Sequence, residues 1–409
     1  MCPNDVTIEA GPMGPIGEQK ALILRVNRNC PWNRCLFCPV YKGKRFSLRS
    51  VDEIKKDIDA IGRVRDCLEE ISWEMGLNGR IKGETIRKIL KHYPDIYGNY
   101  PFEMTGEQAR AVESLGTIAN WILHGAGRVF LQDADALITR TADLAEVIRY
   151  LKAMFPTVDT VTCYARSKTC RHKAAEELME LREAGLTWCF VGIESGNDDV
   201  LSYMKKGVTQ REHIVGGRKM LESGISVAAF VMPGLGGNDG DRSRRHVRDT
   251  VSVLNEIAPT EVRVRSLAVN ERSLLYRRWL SDEFSLPTDD RMIDELRCLI
   301  EGITFDCTFE TLQMTNALFT LRGPFSRQKE AMLAAIDAYQ HLSPLEKARC
   351  ILDRYVSGGY LDCVRSWGRC DDQLEQLIEA AQTDIVAEAP GSIEAVNRAV
   401  FAIKSKGVP

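Results

Sequence analysis

Cys30-Pro-Trp-Asn-Arg-Cys35-Leu-Phe-Cys38 places three cysteines within nine residues. It directly follows Ala21-Leu-Ile-Leu-Arg-Val-Asn27, whose length and polar borders read as a buried strand. The thiols therefore fall at the C-terminal end of a strand. Thiolates grouped this closely hold iron-sulfur clusters, and three of them on a four-iron cluster leave one iron open to another ligand. Zinc is a competing reading, but a structural zinc site takes four protein ligands, usually as two close pairs, and no fourth Cys or His lies near in the sequence. Three unconnected buried thiols are the third reading, because free cysteine packs like a small apolar residue. Their crowding into one loop counts against it.

Outward from this loop, the 409 residues are 44% hydrophobic, enough for a large core. That length predicts two or three domains, although an α/β barrel absorbs about 250 residues as one unit. The formal net charge of -3 gives no global attraction to nucleic acid or to an anionic membrane. The start Met1-Cys-Pro-Asn-Asp5 has neither a basic nor an apolar leader segment, and no apolar run reaches the length of a membrane span. A soluble, cytoplasmic protein is expected, with its thirteen cysteines as reduced thiols and metal ligands rather than disulfides.

Residues 1–18, with Gly11-Pro12, Gly14-Pro15 and Gly17, read as a turn-rich lead-in with little to bury. Ser50 is placed to cap a helix from about Val51, with Glu53 completing a capping box. Residues 62–127 stay helical in pattern and read as an insertion. From Arg128 onward, apolar strands at 128–133, 159–165, 188–194, 226–232 and 261–267 alternate with helices at 141–154, 173–184, 210–223 and 242–257. This alternation predicts an α/β fold, a partial (β/α)6 TIM-type barrel over 19–275, with its chemistry on the C-terminal ends of the strands. A helical C-terminal domain over 276–409 is expected to follow, with helices at 289–302, 326–341, 344–356 and 372–387.

On that frame the chain resembles the radical S-adenosylmethionine (SAM) superfamily, nearest to its coproporphyrinogen-oxidase-like and elongator-MiaB-NifB type core, over about residues 20–275. That family carries a three-cysteine loop after the first barrel strand, with an aromatic residue before the last cysteine, here Phe37. The family spacing is commonly C-x3-C-x2-C; in this chain it is C-x4-C-x2-C. The resemblance implies a 4Fe-4S cluster on Cys30, Cys35 and Cys38, with SAM on the open iron. Asp133, Ala134 and Asp135 fall on the family's Gly-Gly-Glu-Pro-like stretch, with Asp135 in place of the acid that receives the SAM amino group. The bland alternative is a helix N-terminal acid. Glu194 falls on the position that hydrogen-bonds the SAM ribose and Lys206 on the position that takes the SAM carboxylate. Chemically, a carboxylate accepts from hydroxyls and an ammonium pairs a carboxylate. Arg166, ending the third strand, is a second candidate for the carboxylate or for substrate. Met232 and Gly234, in Met232-Pro-Gly-Leu-Gly-Gly237, match the segment that packs against adenine.

The implied activity is reductive cleavage of SAM to methionine and a 5'-deoxyadenosyl radical, which takes hydrogen from an unidentified small-molecule substrate. It also implies a low-potential electron donor such as flavodoxin or ferredoxin. No membrane and no nucleic-acid partner is expected. The alternative of another class is an iron-sulfur or zinc protein that carries electrons or scaffolds a partner without cleaving SAM. The C-x6-C pairs Cys163/Cys170 and Cys363/Cys370 read as ordinary thiols rather than a second cluster. The run Arg242, Arg244, Arg245, His246 and Arg248 reads as an exposed helix face, and so does the basic stretch from Arg80 to Lys91.

Overall fold

The computed structural model describes residues 6–12, 14, 17–318 and 320–407. The Met1–Asp5 start and Pro15 of the lead-in lie outside the described residues. The chain is α/β, with mainly parallel strands, and forms two compact units. The first comprises 1–31, 45–190 and 222–226, and the second 32–44, 191–221 and 227–409.

In the first unit, β1 (Leu22–Arg25) is followed by an antiparallel pair of short strands, β2 (Asn27–Arg28) and β3 (Ser47–Leu48). Helices α1 (Val51–Glu74), α2 (Gly83–His92), α3 (Pro94–Tyr97) and α4 (Gly106–Leu123) come next. Then come β4 (Arg128–Gln132), α5 (Thr141–Met154), β5 (Thr160–Ala165), α6 (Ser167–His172), α7 (Ala175–Ala184) and the start of β6 (Leu186–Glu194), whose residues from 191 belong to the second unit. β1, β4 and β5 pair in parallel, with Leu24 opposite Leu131 and Leu131 opposite Cys163. The strand signals hold: β1 alternates buried and half-buried residues, while β4 and β5 bury nearly every residue, as strands covered on both faces do.

The Ser50–Glu53 capping box is present in both directions, at 3.2 and 2.8 Å. Gly62 marks no boundary between elements. α1 runs on to Glu74, burying Ile58, Ile61, Val64 and Leu68, so the insertion expected from 62 begins inside α1. The lead-in also buries more than expected. Val6 and Ile8 are in the core, and the Ile8 amide donates to the Ser114 hydroxyl on α4.

The second unit contains α8 (Asp198–Tyr203), α9 (Gln210–Glu222), β7 (Ser226–Val231), α10 (Gly240–Ile257) and β8 (Glu261–Val264). These are followed by α11 (Leu274–Leu280), α12 (Asp289–Gly302), β9 (Thr308–Glu310), β10 (Arg322–Pro324) and α13 (Phe325–Gln340). Helices α14 (Pro344–Val356), α15 (Tyr360–Ser366), α16 (Asp372–Val386) and α17 (Ser392–Lys406) complete it. β7, β8 and β9 are parallel and β10 is antiparallel to β9. No pairing among the described residues closes a barrel.

The region beyond 276 is therefore neither wholly helical nor a compact unit of its own. Two of its strands continue the pairing of β8, and its helices grip the end of that strand. Lys404 on α17 pairs with Asp289 at 3.0 Å, and the Tyr355 hydroxyl donates to the same carboxylate at 2.7 Å. The Arg354 guanidinium donates to the carbonyls of Met314 and Asn316. Asn316 in turn accepts from the Ser266 amide at 2.7 Å and donates to the Val264 carbonyl at 2.7 Å. Losing one partner of a buried pair of this kind costs about 3–5 kcal/mol. No helix among the described residues is long and apolar enough to cross a membrane.

Candidate functional site

The cysteine loop passes from one unit into the other: Cys30 belongs to the first, Cys35 and Cys38 to the second. All three are half-buried and carry sulfur, the soft donor that an iron-sulfur cluster requires. Within either unit, no group of three metal-ligating side chains gathers among the described residues.

In the second unit, the loop is fastened to the residues that follow β6. The Leu36 amide donates to the Met204 carbonyl at 2.9 Å, and the Leu275 amide donates to the Leu36 carbonyl at 2.9 Å. Leu36 enters a buried cluster with Val200, Met204, Met232 and Leu235, against which Phe37 packs. The Trp32 indole donates to the Lys205 carbonyl at 2.7 Å. Trp32 also lies so close to Gly207, whose φ is +69°, that an added Cβ would stand 2.2 Å from the ring.

Glu194 ends β6 with φ 65°, in the left-handed region that costs a non-glycine residue roughly 1–3 kcal/mol and that concentrates at functional sites. Its carboxylate pairs with Lys206 at 3.3 Å, both side chains being mostly buried, and the Lys206 ammonium lies 5.8 Å from the centre of the Phe37 ring. A Cβ on Gly192 would stand 2.3 Å from the Glu194 carboxylate and 2.8 Å from the Lys206 ammonium, so this glycine keeps a cradle open beneath the pair. The Met232 amide donates to the Glu194 carbonyl at 3.1 Å, which joins the ends of β6 and β7. Four residues named from the sequence, Phe37, Glu194, Lys206 and Met232, thus meet in one unit.

A buried polar network beneath them gave no sequence signal. His246 lies on α10 in the basic run expected to be an exposed face. Arg244, Arg245 and Arg248 are exposed, but His246 is 2% exposed, which corrects that expectation for this residue. It lies one residue past Arg245, roughly 100° around the helix, and is buried with Val247 and Thr250. One ring nitrogen contacts the Ser195 hydroxyl at 2.8 Å and the other the Met232 carbonyl at 3.2 Å. Burial pushes its pKa below the usual value. Glu295 on α12 accepts from the Gly234 amide at 2.6 Å and from the Ser243 hydroxyl at 2.5 Å. These two residues fix the turns carrying Glu194 and Gly234, yet they lie 51 residues after Ser195 and 61 residues after Gly234.

The first unit holds the other acids. Asp133 accepts from the Arg25 guanidinium at 2.7 Å and from the Asn29 amide at 2.7 Å. Asp135 is fully buried. One of its oxygens accepts from the Arg166 amide at 3.3 Å and the other from the Thr169 hydroxyl at 2.5 Å. Burial raises its pKa to about 6, opposed by the Thr169 hydrogen bond and the Arg166 charge. Of residues 132–135 only Ala134 is not buried. Arg166 caps α6 and is half-buried. Cys163 has as its close neighbour not Cys170 but Cys189, with sulfurs 3.7 Å apart on β5 and β6. Cys370 instead donates to Glu375 at 3.1 Å.

No family model matches the chain. It is 22% identical over 129 residues to the tRNA uridine(34) acetyltransferase of Methanocaldococcus jannaschii, which covers 32% of this chain and 23% of that protein. Among solved structures it is similar to an N-terminally truncated archaeal Elp3 from Methanocaldococcus infernus. That match has 13% identity and a TM-score of 0.40, over 53% of this chain and 55% of the other. It is also similar to coproporphyrinogen III oxidase from Escherichia coli, described as a radical SAM enzyme. Here the identity is 14% and the TM-score 0.40, over 69% of this chain and 51% of the other. The chain spans about a quarter of the curated relative and about half of each structure. In its cysteine loop and strand-end residues, the chain resembles radical SAM enzymes.

Proposed function

We propose that the chain is a radical SAM enzyme acting on a small-molecule substrate, with a 4Fe-4S cluster on Cys30, Cys35 and Cys38. The observation that carries this reading is the fastening of the Cys35–Cys38 loop onto Met204, two residues before the Lys206 that pairs with the strained Glu194 and lies over Phe37. When bound, the cluster supplies the electron that cleaves SAM to methionine and a 5'-deoxyadenosyl radical. The three cysteines supply thiolates. Glu194 accepts from the ribose hydroxyls and Lys206 neutralises the SAM carboxylate, each released from the other in part as SAM enters. Met232 and Gly234 offer adenine a close apolar approach, their amides being held already by Glu194 and Glu295. Asp135 is occupied by its own neighbours, so the backbone at Ala134 takes the SAM amino group and Asp135 holds that backbone in place. Arg166 stays a second candidate for the carboxylate. A low-potential donor such as flavodoxin or ferredoxin supplies electrons, and the cytoplasm, which keeps thiols reduced, suits the loop.

Anaerobic reconstitution tests this. The chain should take up about four irons, as one such cluster requires, and with dithionite and SAM should release 5'-deoxyadenosine. Replacing all three loop cysteines with Ala should abolish both. A protein that keeps its iron and never forms 5'-deoxyadenosine is an electron carrier or scaffold instead. About eight irons per chain would assign a second cluster to other cysteines.

A further inference from the structure

The residues of β8 alternate between two kinds of surroundings. Val262 and Val264 are fully buried on one face, while Glu261, Arg263 and Arg265 fall on the other. Arg263 stands opposite Phe230 in the parallel register, with its guanidinium 5.9 Å from the ring centre. Its charge is answered twice, by Glu261 at 3.2 Å and by Glu310 at 3.2 Å. Arg265 lies two residues further toward the strand's C-terminal end. Its amide continues the ladder, donating to the Val231 carbonyl at 2.9 Å. Its side chain is half-buried, yet among the described residues it makes no hydrogen bond, ion pair or ring contact. The cations that act on the buried Glu310 are Arg263 and Arg322, not Arg265.

A partly desolvated guanidinium without a counter-ion is unfavourable, and its planar fork fits a carboxylate or phosphate bidentately. Its place in the unit is informative too. Glu194 ends β6, Met232 follows β7 and hydrogen-bonds Glu194, and Arg265 follows β8. At the usual strand spacing, its backbone stands about 10 Å from that of Glu194. That separation is about the size of a small metabolite. The position is held firmly, because the next residue, Ser266, is pinned by Asn316, which Arg354 and the C-terminal helices hold in turn.

We infer that Arg265 is a substrate-binding residue, and that the substrate carries a carboxylate or phosphate group which this guanidinium takes. The inference rests on the radical SAM reading for the identity of the neighbouring site, but the anion site is testable without it. Full-length, anaerobically reconstituted protein is titrated calorimetrically with succinate, inorganic phosphate and pyrophosphate, alongside R265Q and R265K. At least one probe should bind the wild type with a dissociation constant on the order of 1 mM or tighter. R265Q should weaken it about tenfold or more, and R265K should recover part of the loss by charge without the fork. A preference for succinate points to a carboxylate substrate, and a preference for the phosphates to a phosphorylated one. Without probe, R265Q should melt at or slightly above the wild-type temperature, because the side chain has no partner to lose and an unanswered charge is removed. Equal binding to R265Q, no binding of any probe to the wild type, or a lowered melting temperature of ligand-free R265Q and R265K would each overturn the assignment. SAM binding to the wild type is measured in parallel. If it is absent while Arg265-dependent anion binding persists, the radical SAM reading falls and the anion site stands; the converse result removes only the anion site.

Discussion

Asp135 and Glu194 are both acids at or just beyond the C-terminal end of a strand, one in each unit, and the structure treats them oppositely. Asp135 is fully buried and closed on its own neighbours, with both oxygens used by Arg166 and Thr169. Glu194 sits in a strained left-handed turn, paired to one lysine over a cradle kept open by Gly192. A buried, satisfied acid organises backbone; a strained one, paired to a lysine that can exchange partners, is available to a ligand. Position at a strand end does not by itself distinguish the two uses.

Titration offers the largest test of this contrast. The Asp135 carboxyl has its pKa raised to about 6 in the folded chain, so the folded state binds its proton more tightly than the unfolded state does. The stability it contributes is present below the ordinary carboxylate pKa and is lost as pH rises through about 6, by on the order of 3 kcal/mol. His246 runs the other way. Its folded pKa is depressed by burial, so its contribution is present above the ordinary histidine pKa and is lost as pH falls below it. Hydrogen exchange, corrected for intrinsic rates, should therefore show β4 and β5 gaining protection from pH 7 to pH 5, and α10 losing it, with D135N removing the first trend alone. The same trend in both units would remove the contrast.

Next in size is the ligand side. Glu194→Ala or Lys206→Ala should weaken SAM binding about tenfold or more, corresponding to about 1.5–3 kcal/mol, with the cluster absorbance intact. D135N, which keeps hydrogen-bonding capacity at that site, should change SAM affinity far less. Equal losses in D135N and E194A would show that the two acids share one role. Gly192→Ala fills the cradle and displaces both partners of the pair, so it should lower SAM affinity by about tenfold, as the loss of one charge-assisted bond does. Unaltered binding would mean the cradle is not used.

The smallest effect is on stability. Glu194→Gly, made in a Lys206→Met background so that no ammonium is left unpaired, should raise the denaturation midpoint over that of Lys206→Met by an amount worth about 1 kcal/mol, because glycine adopts φ 65° without strain. It should do so while lowering SAM affinity. A double variant less stable than Lys206→Met would show that the turn carries no strain to relieve.

Much of the fold was legible because its signals are local. The capping box at Ser50, the apolar runs at β1, β4 and β7, and the helices at 141–154 and 289–302 each depend on residues within a turn or two of one another. β9 and β10 were not legible. They are three residues each, and nothing in their own composition outweighs the helical pattern around them. The start of the insertion expected at 62 fell inside α1 because one glycine costs a helix little beside the burial of the face around it, where Met154 packs close. His246 was hidden by its neighbours: the arginines beside it point to solvent, and one residue's rotation about the helix turns a charged run into a core contact.

The sequence by itself determined the cysteine spacing, the alternation of the main strands and helices from β4 to β8 and the strand-end positions of Glu194 and Met232, since all of these follow from residues close in the chain. Tertiary structure decided what each polar group does. Asp135, His246, Gly234 and Asn316 each take a partner from 31 to 61 residues away, namely Arg166, Ser195, Glu295 and Ser266. Burial sets the cost of leaving a charge unanswered, so only the folded chain separates an acid already satisfied from an arginine still awaiting its anion.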